Sequence, residues 1–479
     1  MSSVAPTHLS CDELDRLKAI VGDKGWIEDP DLLSPYLEEQ RGLCHGTTAI
    51  MLRPATTKEV SDVVSLCAES AIAIVPQGGN TGLVGGAVPH KEHREILLNL
   101  SRMNKISHVD SRNDTITVEA GCLLKTVQEA AENMGRLFPL SMGSEGSCEI
   151  GGNIATNAGG ISVLRYGMMR DLVLGLEVVL ADGRILSELK GLRKDNSGYD
   201  LRQIFIGSEG TLGIITAAVL KLFPPQNNRI TALLGIASPQ AAIALFEKSR
   251  DVLGDPISAF EYIPRIALDL VTKHIAGARD PFETPYPGYV LMELATTLPL
   301  PGLKADLELH LSTAIEEGMA ENALIAESNT QAEALWQLRE AIPEAQKCEG
   351  GSIKHDISVP VSALARFIEQ ASAMVTKEIP NVRVVAFGHF GDGNVHFNLT
   401  QPEGADKAAF LALWPRMNSL VHDIACAEGG SISAEHGIGR LKRDELVRCA
   451  DPLKLELIGR IKRALDPQNI MNPGKIIDI

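Results

Sequence analysis

Three glycine-rich segments in the first half restrict what this chain can fold into more than any other feature. They are residues 76–86 (PQGGNTGLVGG), 151–160 (GGNIATNAGG) and 207–215 (GSEGTLGII). Glycine has no Cβ, so its backbone N–H groups can approach and wrap an anion. The first loop follows the strand-like run 72–75. That run is preceded by a helical pattern over Thr57–Ser70, with Thr57 as a plausible cap, and by a strand at 50–52, which together read as a βαβ unit. One such loop is as readily a pair of tight turns as an anion site. Three in one half favour a long cofactor with a pyrophosphate, such as a dinucleotide. A nicotinamide cofactor is the weaker candidate, because no Gly-x-Gly-x-x-Gly opens a helix after a strand with an acidic residue about 20 positions on. No Gly-x-x-x-x-Gly-Lys-Ser/Thr motif is present for a nucleoside triphosphate. Flavin is left as the best candidate.

At 479 residues the chain is too long for one core and suits two or three domains. Further strands are expected at 96–100, 115–119, 176–180 and 214–219, giving an α+β half that ends near Pro224-Pro225. Beyond the diproline, a strand at 230–235, a helix at Pro239–Leu253, strands near 289–294, 353–359 and 382–387, and helices at 301–318 and 331–346 fit helices on an antiparallel sheet. The tail pattern Pro452–Leu465 is an amphipathic helix with Ile458, Ile461 and Leu465 on one stripe, stopped by Asp466-Pro467. The expected division is residues 1–225, 226–425 and 426–479.

Charge narrows the partners. With 45 Lys plus Arg against 61 Asp plus Glu, the net charge of −16 repels phosphate backbones and anionic membranes, which argues against nucleic acid. An anionic substrate would then need locally concentrated positive charge. The eight cysteines are scattered without a Cys-x-x-Cys pair. They read as reduced, buried thiols of a cytoplasmic protein. Residues 1–7 lack a basic region and an apolar core, so no secretory signal is expected, and no apolar run is long enough for a transmembrane segment.

The second feature carrying chemistry is the segment 388–398 (GHFGDGNVHFN), with Ala434-Glu435-His436-Gly437 downstream. In a strand-like run His396 and Asn398 point to one face. The glycines at 391 and 393 let His389 turn back toward His396. Two histidines and a glutamate can hold a metal and leave a coordination position open, the pattern of a catalytic zinc rather than a closed structural one. Taken alone, the His pair reads more readily as buried hydrogen-bonding groups than as ligands, and Glu435-His436-Gly437 more readily as a turn or helix cap.

These segments, with residues 192–201, 465–467 and Asn472-Pro473, carry a resemblance over roughly residues 52–475. The three loops are similar to the flavin domain of the vanillyl-alcohol oxidase / p-cresol methylhydroxylase superfamily. The second half resembles D-2-hydroxyglutarate dehydrogenases and their D-lactate- and glycolate-oxidising relatives. The resemblance implies an α+β fold: a two-subdomain FAD-binding domain, a cap domain with an antiparallel sheet that presents the substrate, and a C-terminal helical segment returning to the FAD domain. It implies FAD contacts from Pro76, Gly78, Gly79, Asn80, Thr81, Gly82, Gly85 and Gly86 in the first loop. Gly143, Ser144, Gly151, Gly152, Thr156, Asn157, Gly159 and Gly160 belong to the second region, and Glu209, Gly210, Gly213, Ile215 and Asn472 complete the set. Covalent flavin attachment in this fold typically uses a His in the first loop; here Gln77, Asn80 and Thr81 stand there, so noncovalent FAD is expected.

The same resemblance implies Zn2+ held by His389, His396 and Glu435, His436 as the catalytic base, and Arg339, Lys354 and Asn398 gripping the substrate. Taken without it, Arg339 and Lys354 read as solvated surface cations. The expected reaction is oxidation of a D-2-hydroxy acid (D-2-hydroxyglutarate, D-malate or D-lactate) by hydride transfer to flavin. A metal would lower the alkoxide pKa, and an imidazole of pKa about 6.5 would take the proton. Close hydroxyglutarate-specific relatives have a Thr four residues after the Arg that matches Arg339. Pro343 stands there, so weak use of hydroxyglutarate is expected. Two alternatives remain: a glycolate or D-lactate dehydrogenase subunit of a multi-subunit or quinone-linked complex, and a flavin-holding scaffold without catalysis. The electron acceptor implied is an electron-transfer flavoprotein or a quinone, and a homodimer is the expected assembly.

Overall fold

The computed structural model describes residues 8–91, 94–297 and 300–479. Residues 1–7, on which the expectation about a secretory signal rests, lie outside them. The chain forms two compact units. The first comprises Met1–Gly160, Tyr166–Pro225 and Glu435–Ile479, and the second Ile161–Arg165 and Gln226–Ala434. The tail divides at residue 434, because its two parts are tied differently. Ser431 pairs with Ser358 in an isolated bridge, N–H to carbonyl at 2.7 and 3.2 Å, which keeps residues up to 434 with the second unit. Lys462 donates to the carbonyls of Thr211 (2.9 Å) and Met471 (2.8 Å), which fastens the last helix to the first unit.

The first unit contains two sheets. A four-stranded sheet runs in the order Trp26–Ile27, Met51–Leu52, Glu95–Asn99, Ala73–Gln77, with the last two contacts parallel. A parallel pair needs a crossover, supplied by the helix Thr57–Ser70. Its buried Val60, Val63, Val64 and Cys67 pack on Ile74, Ile96 and Leu98. The cap of this helix is Thr56, not Thr57: the Thr56 Oγ1 accepts from the Glu59 N–H at 3.1 Å. A five-stranded antiparallel sheet follows the order Ile106–Asp110, Thr115–Glu119, Ile214–Lys221, Val173–Val179, Ile185–Glu188.

The C-terminal helix Pro452–Leu465 departs from its expected stripe. Ile461 is exposed, and the buried positions are Gly459 and Lys462. Polar anchoring turns Lys462, which also pairs with buried Asp466, inward in place of Ile461, while Leu465 of the expected stripe packs on the core.

The second unit is one seven-stranded antiparallel sheet. Its order is Asn322–Ile325, Asn228–Ile236, Gly288–Thr296, Ile257–Pro264, Arg383–His389, Asn394–Thr400, Ser352–Ser358. Side chains alternate between faces, and the two faces bury different clusters. One face packs Phe260, Tyr262, Val395, Phe397 and Ile357 against helices such as Pro239–Leu253 and Leu364–Glu378. The other carries Leu233, Tyr289, Leu291, Val385 and Phe387 beneath the helices Arg265–His274, Asn329–Glu340 and Ile342–Lys347. The single helix expected over 331–346 is thus two. Pro343 has no N–H to give the Arg339 carbonyl, so the first helix ends at Glu340 and a second starts with the proline at its second position. Among the described residues, no helix is long and apolar enough to cross a membrane, and all eight cysteines are free thiols.

Candidate functional site

The first unit offers a site made of backbone. None of the amides of Gly78, Gly79, Asn80, Thr81 and Gly82 donates to a described protein acceptor. Asn80 takes the left-handed conformation (φ 52°), a backbone turn of the kind from which anion-binding nests are built. The glycines divide into two kinds. At Gly79, Gly160 and Gly210 an added Cβ would collide with Ser147, Ser141 and Pro76, so these three permit close backbone packing. At Gly82, Gly143 and Gly152 a Cβ would meet nothing within 4 Å, so these three line open space.

Side chains fix the loops from behind. Gln77, buried, donates to the carbonyls of Tyr36 (2.9 Å) and Ala87 (3.0 Å), and Asn80 donates to the Glu38 carbonyl (2.9 Å). Asn157, also left-handed, accepts from the Arg170 amide at 2.8 Å. The Thr156 hydroxyl donates to the Gly152 carbonyl at 2.9 Å. In the third loop the buried Glu209 carboxylate accepts the amides of Ile438 and Gly439, both at 2.7 Å. Burial nonetheless pushes its pKa up to about 7. Asn472 donates to the carbonyls of Gly86 (2.9 Å) and Glu209 (2.8 Å), tying the first loop to the third.

Among the described residues of this unit, Glu149 Oε2, Asn153 Oδ1 and Asn472 Oδ1 are buried oxygens without a hydrogen-bond partner. Buried polar atoms are otherwise almost always paired. Unbonded amides, Cβ-free space and orphaned oxygens together suit a polar, phosphate-bearing cofactor, and FAD fits this donor and acceptor set.

The second unit offers a site made of side chains on one sheet face. The register places Asp356 opposite His396, Lys354 opposite Asn398, and Glu261 opposite His389. With the period of two, all six lie on the face that also carries Phe387. Glu261 is buried; its Oε1 lies 2.5 Å from His389 Nδ1, and its Oε2 accepts from Arg339 Nε at 2.7 Å. Burial alone would raise the Glu261 pKa, but the charges of His389 and Arg339 hold it at about 2. Arg339 is itself buried, with its guanidinium 4.7 Å above the Phe387 ring. The His389 and His396 rings stand 5.7 Å apart. Asn398 donates to the buried Gln346 Oε1 at 2.9 Å, and its own Oδ1 is buried without a partner. Asp392, between the two histidines in sequence, has its pKa raised to about 6, chiefly by burial. The Asp356 Oδ2 accepts from the Ala434 amide at 3.1 Å.

Glu435 and His436 follow Ala434 directly in the chain. Both are partly buried, and His436 Nε2 lies 3.8 Å from Glu435 Oε1. The left-handed Gly437 (φ 81°) turns the chain before Ile438, whose amide Glu209 anchors.

Glu261, Asp356, Gln346 and Glu149 escaped the reading of the sequence. Asp356 was within reach, since it shares strand phase with Lys354. The strand holding Glu261 was not recognised, and nothing local marks Glu149 or Gln346.

The fold and the loops define a flavoprotein architecture. The chain is similar in fold to p-cresol methylhydroxylase with substrate bound (TM-score 0.76, 18% identity, covering 99% of both chains). Residues 48–187 match the model of an FAD binding domain, and residues 225–476 that of the FAD linked oxidases, C-terminal domain. The mitochondrial D-2-hydroxyglutarate dehydrogenase of Danio rerio is 40% identical over 94% of this chain and 82% of its own length. A putative mitochondrial D-lactate dehydrogenase of Schizosaccharomyces pombe is 36% identical over 98% of this chain and 90% of its own. The chain belongs to the FAD-linked oxidases, in the family of the D-2-hydroxyglutarate dehydrogenases, and is an FAD-dependent oxidoreductase.

Proposed function

We propose that this protein oxidises a D-2-hydroxy acid to the 2-oxo acid, with FAD held noncovalently on the three glycine loops. Gln77, Asn80 and Thr81 in the first loop support noncovalent binding. Bound FAD would accept the hydride from the carbinol carbon. The observation that carries the substrate class is the polar strip on one sheet face: Lys354 opposite Asn398, with the unpartnered Asn398 Oδ1 and the buried Arg339 on the same side. Cations and an amide so arranged suit a carboxylate with a neighbouring hydroxyl. Arg339, Lys354 and Asn398 bind and orient the acid, and His436 takes its hydroxyl proton.

A divalent cation, Zn2+, completes the proposal; when bound it would polarise the hydroxyl as a Lewis acid. Candidate ligands are Asp356, His396, Glu435 and His436, histidines and carboxylates of the kind that can hold an ion, whereas the family resemblance gives His389, His396 and Glu435. His396 and Glu435 are common to both sets, and oxygen and imidazole donors suit zinc. In favour of His389, its Nδ1 is engaged by the Glu261 carboxylate, the partner a ligating imidazole commonly has. With Asp356 and His389 both on the face of His396, zinc content of the Asp356→Ala and His389→Ala variants separates the two sets. Pro343, standing where close hydroxyglutarate-specific relatives have a Thr that helps hold the distal carboxylate, favours a short acid over hydroxyglutarate. A cytoplasmic homodimer passing electrons to an electron-transfer flavoprotein or a quinone is the setting we propose; eight free thiols agree with a reducing compartment.

The test is anaerobic mixing with paired D- and L-2-hydroxy acids while flavin absorbance is followed, with and without a chelator. Bleaching by D-acids that is lost on chelation is expected. Bleaching by the L-acid alone would overturn the stereochemistry, and chelator-insensitive bleaching would overturn the metal.

A further inference from the structure

The Glu149 side chain has no part in the proposed chemistry and makes no hydrogen bond to a described residue. It lies just before the short helix Ile150–Ala155, and its backbone carbonyl accepts the Asn153 amide at 3.0 Å. The residue is 6% exposed. Neither carboxyl oxygen bonds to a described residue, and Oε2 is wholly buried without a partner. That oxygen lies against the first glycine loop: a Cβ built on Gly78 would stand 3.3 Å from it and 3.7 Å from the Gly152 amide nitrogen. Gly78 opens the run of five amides, residues 78–82, that donate to no described acceptor and suit an anion.

A buried carboxylate there and a phosphate on the nest would repel each other in a poorly screened environment. A neutral carboxyl group would instead have an O–H to donate. We infer that Glu149 holds a proton when FAD is bound and donates a hydrogen bond to an acceptor atom of the cofactor, so that FAD binding is linked to uptake of one proton. This rests on FAD occupying the three loops.

The surroundings agree. Arg53, which follows the strand Met51–Leu52, is the charged group that acts on Glu149, and its own Nε is buried without a partner. Glu149 in turn acts on the Cys122 thiol, which also feels Glu119. Burial outweighs Arg53 and lifts the Glu149 pKa to about 8. The free protein is therefore half-protonated only slightly above neutrality.

The experiment measures FAD affinity of the FAD-stripped protein by flavin fluorescence between about pH 6 and about pH 9.5. It also measures the rate of FAD loss from the untouched holoprotein over the same range. Above about pH 8 the dissociation constant of the wild type should rise roughly tenfold per pH unit, the slope of one linked proton. Glu149→Gln, which keeps a donor of similar shape, should bind FAD with a flat profile and cross the wild type in affinity at high pH. A pH-independent wild type, or an equal slope in Glu149→Gln, would overturn the inference. If the variant does not fold, the holoprotein rate decides alone: unchanged FAD loss across that range overturns it. Failure to bind FAD at any pH would instead remove the reading of the loops themselves.

Discussion

The two units would hold a ligand in opposite ways on the function proposed above. In the first, side chains stand behind and the backbone would face the guest: the amides of residues 78–82 donate to no described acceptor, while Gln77, Asn80, Glu209 and Asn472 brace the loops by bonding to carbonyls and amides. In the second, the backbone is consumed by a continuous antiparallel ladder, and side chains of one phase face outward from it. A backbone site tolerates changes of side chain but no added Cβ where packing is tight. A side-chain site tolerates neighbours but depends on each charge having its partner.

The sharpest way to break this contrast is at Gly79. Gly79→Ala should give protein without FAD, or no folded protein, because its Cβ would strike the Ser147 carbonyl. Gly82→Ala should fold with wild-type melting temperature and lose FAD affinity alone, since its Cβ meets only open space. Flavin absorbance and thermal unfolding read both, and equal behaviour of the two would refute the division of the glycines. Next in size is the buried pair. Arg339→Met should cost roughly 3–5 kcal/mol in urea unfolding by leaving Glu261 with His389 alone, and Glu261→Gln in the same chain should recover most of that loss. For the chemistry, His436→Ala should retain yellow flavin yet slow its reduction by a D-2-hydroxy acid by about a hundredfold or more. Stopped-flow absorbance measures this, and unchanged reduction would assign the base elsewhere.

Smaller effects sharpen the comparison further. The folded-state pKa of Glu149 is raised, so the folded protein keeps a proton that the unfolded chain loses. Its contribution to stability is complete below about pH 4.5 and is lost as pH rises toward about 8. Glu149→Gln should therefore gain in urea midpoint over the wild type, both without FAD, between about pH 5 and about pH 8. An invariant difference would contradict the buried, unpartnered state of that carboxyl. Last, Thr56→Ala should cost about 1 kcal/mol, the usual value of one helix cap, whereas Thr57→Ala should cost less.

Much of this was legible in the chain. Glycine loops, a strand–helix–strand pattern and an alternating His396/Asn398 run are local signals, set by Cβ sterics and by side-chain periods. Three local expectations differ from the structure. The break at Pro343 follows from the proline's own missing N–H, a signal outweighed in the chain by the helical pattern on either side of it. The cap at Thr56 in place of Thr57 and the inward side chain of Lys462 in place of Ile461 were decided by a neighbour or a distant partner between near-equal local choices. Lys462 is buried because Thr211, 251 residues away, offers it a carbonyl.

The amino-acid sequence by itself determined the two kinds of element: segments where only glycine permits the backbone to turn and close, and strands whose alternation commits charged residues to one face. Only the tertiary structure decided the pairings across long separations: Glu261 with both Arg339 and His389, Asp356 opposite His396, and Glu149 beneath Gly78. The physical reason is reach. Sterics and periodicity act within a few residues and are written in the local string, whereas the ionisation of a buried group depends on which charges the fold brings to it, and no local pattern carries that.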